Sequence, residues 1–180
     1  MTWHKKMMRW TSLAVFIGFI GSFAIAHAAN ATLSVSAEIV NAVNVTQNTP
    51  LSFGRFTLAG AGAVSIAAET DGSNSSTGGV SLVNSAQRGL VTITASSGAK
   101  MLVTVGNATL TNSGSSDTTL TMSSAECALD NGGAATVGSC SFTMPESGIA
   151  LVGIGGTLNA GGDESIGLYS GTITVIANFN

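Results

Sequence analysis

The chain has 180 residues, of which only 8% are charged, with a formal net charge of −3. Its acidic balance and scarcity of Lys and Arg leave nothing to neutralise phosphates, which excludes nucleic acid and anionic membrane surfaces as expected partners. Abundant Ser, Thr, Gly, Ala and Val fit an all-β chain better than a helical one.

The first residues read as an export signal. Lys5, Lys6 and Arg9 precede an apolar run from Leu13 to Ile25, and Ala26-His27-Ala28 supplies a small-x-small cleavage site. Residues 1–28 are therefore expected to be removed, leaving 152 of the 180 residues, 29–180, as one domain. Both histidines and both tryptophans leave with the signal, and Arg55, Arg88 and Lys100 remain against nine carboxylates, a net charge of −6. A chain of this length buries about two-thirds of its unfolded surface in a single core. No membrane span is expected after cleavage.

Residues 31–45 alternate, with Leu33, Val35, Ala37, Ile39, Val43 and Val45 on one face and Asn41 breaking it. Fifteen extended residues would span roughly 50 Å, so two strands with a bend near Asn41 are predicted. Leu51–Thr57 and Ala63–Glu69 follow as strands, and 71–79 reads as a polar loop. Val80–Val83, Leu90–Ala95 and Met101–Leu110 are further strands, with a turn at Ser96-Ser97-Gly98 and a loop at 112–117. Leu120–Met122, Ala135–Met144 and Ile149–Leu158 continue the series.

From Gly167 to Asn180 one strand is predicted. Tyr169, Ile173, Val175 and Phe179 lie on one side, and Ser170, Thr172, Thr174 and Asn178 on the other. The alternation runs to the last residue, which suggests pairing there, because chain ends otherwise fray. About ten short strands with frequent turns predict an antiparallel, immunoglobulin-like β-sandwich. One tyrosine cannot furnish the aromatic girdles of a membrane barrel.

Four motifs could carry chemistry, and each has a plainer explanation. Ser97-Gly98-Ala99-Lys100 spells a serine–lysine pair but falls in a turn without the companion motifs of that enzyme class. Gly153-Ile154-Gly155-Gly156 lacks the third glycine of a dinucleotide fingerprint, since position 158 is Leu158, and reads as a strand with a bulge or close backbone approach. Asp71, Asp117, Asp130, Asp163 and Glu164 lack the spacing of a calcium loop. Asn107 opens one of several Asn-x-Ser/Thr triplets that such a composition generates by chance. With no histidine after cleavage, neither an enzyme nor a cofactor is expected. Cys127 and Cys140, the only cysteines, cannot make a four-ligand zinc site and in an exported chain predict a disulfide.

Three stretches carry a resemblance. Leu51-Ser52-Phe53-Gly54, Gly79-Val80-Ser81-Leu82, and Ile154-Gly155-Gly156-Thr157-Leu158 leading to Gly167-Leu168-Tyr169-Ser170-Gly171-Thr172 together resemble secreted bacterial domains of unknown function, which share an L-x-F-G, a G-G-T-L and a G-x-Y-S-G. The N-terminal layout is similar to spore-coat-U-like pilins, although Val43 and its neighbours stand where those carry a cysteine. The C-terminal part resembles chaperone–usher pilins, with Gly167 fourteenth from the end and Phe179 penultimate.

The resemblance implies a pilin-like structural subunit of a surface fibre, passing through the periplasm to the cell surface. Its partners would be copies of itself or other pilin-like subunits, with a periplasmic chaperone in transit. Within residues 29–45, Leu33, Val35, Ala37 and Ile39 would be the face of a donated strand. The residues alone favour a plainer role for 31–39, the first strand of a self-complete sandwich. The alternative function is a monomeric secreted binding module.

Overall fold

The computed structural model describes residues 34–37, 39, 41–114 and 118–180. The expected signal peptide, Leu33 and Asp117 lie outside the described residues. Contacts divide the chain into Met1–Ala37 and Glu38–Asn180. Of the first unit only 34–37 are described, and they are exposed and carry no strand.

The second unit is all-β, with no helix among its described residues. Twelve strands succeed one another: β1 (Asn44–Thr49), β2 (Phe56–Ile66), β3 (Asn74–Leu82), β4 (Gly89–Thr94), β5 (Lys100–Val105), β6 (Ala108–Asn112), β7 (Thr119–Leu129), β8 (Thr136–Val137), β9 (Ser139–Thr143), β10 (Ile149–Ala160), β11 (Tyr169–Ser170) and β12 (Val175–Phe179). All pairings are antiparallel.

β10 is the spine of the larger sheet. β7 runs along one side of it, while the other side is shared by β4 near its start and β2 near its end. β1 extends the sheet beyond β4, and β3 extends it beyond β2. The smaller sheet has the order β12-β5-β9. Between the sheets, Met101, Val103 and Val105 of β5 join Ile93, Leu120, Met122, Val152 and Ile154 in one buried cluster, the arrangement of a β-sandwich.

Several expected elements differ. The predicted run 101–110 is two strands in different sheets, β5 and β6, separated at Gly106-Asn107. The predicted polar loop at 71–79 is mostly strand, because Asn74–Gly78 pair with Gly62–Ile66 as a hairpin arm whose polar side chains face water. The single strand expected over 167–180 is two, β11 and β12, in different sheets. Gly167 and Ile173 fall outside both.

One bulge sets the interior of β7. Gly155 lies opposite Glu126 and Thr157 opposite Ser123, so Gly156 alone faces Ser124 and Ala125. Ser124 takes a left-handed φ of 47°, which lets one extra residue fit into the strand. Leu120 and Met122 are buried before the bulge, and Ala125 and Cys127 after it. A strict alternation would instead have turned Ser124 and Glu126 toward the core.

Candidate assembly edges

β1 is an edge strand with an unusual burial pattern. Among the described residues it pairs only with β4, and Asn44–Asn48 are exposed on both faces, with Val45 at 37%. An edge strand of a sandwich ordinarily buries one face against the opposite sheet, and here that sheet stops at β12. β12 pairs only with β5 and comes into contact with β1. One free edge from each sheet therefore borders the same side of the molecule. Along it lie half-buried Val43, Ile173, Val175 and Ala177 and exposed Ile176 and Phe179, at 49% and 43%.

Of the predicted donor face, Val35 and Ile39 are 89% and 98% exposed, and Ala37 is exposed as well. None belongs to a strand.

The Gly-x-Tyr-Ser-Gly stretch forms a clamp over β6. Tyr169 and Ser170 pair with Asn112 and Thr111. The Tyr169 hydroxyl donates to Ser165 O at 2.7 Å, and the buried Asn112 donates through Nδ2 to the same carbonyl at 3.2 Å. Gly167 leaves room for this contact, since a Cβ would lie 2.5 Å from the Asn112 side-chain amide and would force it to shift. Before the clamp, the Glu164 carboxylate accepts from Gly161 N and Gly162 N. Desolvation would raise the Glu164 carboxyl, but the N–H groups of Gly161, Gly162, Glu164 and Asp163 outweigh it and hold it below its ordinary value.

The glycine run of β10 serves close approach. A Cβ at Gly153 would lie 2.0 Å from Ala68 O, and one at Gly155 would lie 2.3 Å from Ile66 O. The segment after β2 thus crosses directly over the spine. Arg88 holds it there, donating to Ala68 O at 3.1 Å and forming an ion pair with Asp130. Glu126 accepts from Ala68 N at 2.9 Å.

The expected disulfide is present, joining Cys127 to Cys140 with Cα atoms 5.8 Å apart. It ties β7 of the larger sheet to β9 of the smaller one.

No catalytic constellation is formed by the sequence candidates. Ser97 and Gly98 form a turn, with Ser97 and Lys100 both exposed. Asp130 is engaged by Arg88 and Glu164 by backbone, and no group of three metal-ligating side chains occurs among the described residues. A shallow cavity of about 340 Å³ lies beside the β7 bulge, lined by Ser65, Ser73, Ser75, Ser124, Glu126 and Thr157 among others. No described helix is long and apolar enough to cross a membrane.

Residues 43–179 match the family described as domain of unknown function (DUF4402). This covers most of the chain, which belongs to that family. The match opens at the last residue before β1 and closes at the end of β12, so it spans the sandwich and leaves the 31–39 segment outside. No curated protein matches the chain.

Proposed function

We propose that this chain is an exported, non-enzymatic structural subunit that assembles by β-strand addition into a surface fibre, in the manner of spore-coat-U-like and chaperone–usher pilins. The observation that carries the reading is the paired free edges of β1 and β12, with an exposed strand on one side and the half-buried Val175 and Ala177 and exposed Phe179 along one face of β12 on the other. A strand laid between them would complete both ladders and cover the apolar strip. Val35 and Ile39, almost fully exposed and outside any strand, supply a donor with the required alternation.

Export is read from the signal-like residues 1–28, and passage through the periplasm to the cell surface from the pilin resemblance. A chaperone that masks the same edges in transit fits this reading. The role is mechanical, so the fibre is held together by backbone hydrogen bonds and buried apolar side chains, without cofactor.

The test is electron microscopy of the mature protein beside its Val35→Asp variant, with thermal unfolding of each. The donor reading expects fibres from the parent, none from the variant, and equal melting temperatures for the two unassembled monomers. Normal fibres from the variant would reject the donor role, and a collapsed melting temperature would return 31–39 to the subunit's own sandwich.

A further inference from the structure

β3 presents a second free edge, remote in character from the apolar one. Among the described residues it pairs with β2 alone, and Asn74–Gly78 are exposed. Natural sandwiches protect such edges with charge, proline or a covering segment. β6 has its cover in β11, whereas residues 72–87 contain no ionisable side chain and no proline.

The ladder tells which backbone groups are free. Ala67 N donates to Ser73 O at 2.8 Å, and the register continues unbroken through Ile66 with Asn74, Ser65 with Ser75, Val64 with Ser76 and Ala63 with Thr77. Antiparallel pairs alternate between hydrogen-bonded and non-bonded. Ser73, Ser75 and Thr77 therefore turn their N–H and C=O toward β2, and Asn74 and Ser76 turn theirs outward, the regular stretch ending at Gly78 with its left-handed φ of 66°.

We propose that this edge pairs antiparallel with the same edge of a second copy of the chain, joining subunits side to side. The two-fold axis passes through Ser76. Ser76 then exchanges both bonds with its symmetry mate, and the Ser75 and Thr77 hydroxyls meet as a close non-bonded pair.

A second copy is the favoured occupant for two reasons on this surface. The segment is self-complementary about Ser76, with small side chains that leave the backbone reachable. It is also free of charge in a chain of net charge −6 after signal removal, so like copies meet here without repulsion. The contact is weak singly and would add up along parallel fibres. It does not depend on the donor-strand reading.

The test uses the mature chain carrying Val35→Asp, with single cysteines added under mild oxidation, since the native pair is bridged. Ser76→Cys should give a covalent homodimer, and an equal mixture of Ser75→Cys and Thr77→Cys should give the heterodimer. Ala134→Cys, exposed in another loop, should remain monomeric. Ser76→Lys, whose side chain points to water, should keep the melting temperature and abolish concentration-dependent sedimentation.

Cross-linking of Ser76→Cys no faster than Ala134→Cys, or only to a different protein, overturns the proposal. Should the Val35→Asp chain still polymerise, the donor reading fails, and the cross-link is read after the polymers are dissolved in denaturant.

Discussion

At Gly153 a hydrogen stands where any side chain would strike Ala68 O. Gly153→Ala should cost about 1–3 kcal/mol through overpacking, because the obstacle is backbone held by Arg88. Gly60→Ala, whose Cβ would meet nothing within 4 Å, is the matched control and should leave the melting temperature nearly unchanged.

Glu164 makes a prediction of a different kind. Its folded-state carboxyl lies below the ordinary value, so the stability it contributes is present above that ordinary value and is lost as pH falls through the folded one. Glu164→Gln should therefore melt lower than the parent near neutrality, with the two curves converging in acid. Parallel curves across the whole range would show that the loop does not rely on the charge.

Among the elements, β7 and β9 are joined by a bridge of sequence separation 13. Replacing both cysteines by alanine should lower stability by roughly 3 kcal/mol in a denaturant titration. The bulge at Ser124 accommodates one extra residue in β7 while keeping Cys127 inward. Deleting Ser124 should leave Gly156 opposite Ala125 alone, with Ala125 and Cys127 still inward and the bridge to Cys140 intact. The readout is the absence of reactive thiols in the unfolded, unreduced protein, and two reactive thiols would show that the register of Ala125–Leu129 had slipped.

For the whole molecule, the distinction is between a self-complete sandwich and one that borrows a strand. Val35 and Ile39 each bring about 1.5–3 kcal/mol if fully buried in a partner. A carboxylate at position 35 would add a desolvation cost of several kcal/mol inside the groove and almost none at an exposed position. Val35→Asp should accordingly abolish assembly while the monomer unfolds at an unchanged temperature. Fibre length distributions beside calorimetric melts give both answers from one preparation.

Strand class and many inward positions were legible because they depend on local alternation. Ile93, Val152 and Ile154 could be placed in strands from period and turn residues alone, and the bridge followed from two cysteines in a chain expected to be exported. The sequence also offered the correct choice for Gly153-Ile154-Gly155-Gly156, where bulge and close approach both occur. It placed Val80–Leu82 in a strand but could not reveal the first part of β3, because Asn74–Thr77 owe their extended form to pairing with β2 and carry the composition of a loop. It could not divide 167–180 either, since Tyr169 and Val175 share one alternation yet pair with β6 and β5 in separate sheets. Periodicity records which side chains seek the interior. Which backbone edges find a neighbour, and which are left open, is decided only when distant segments meet.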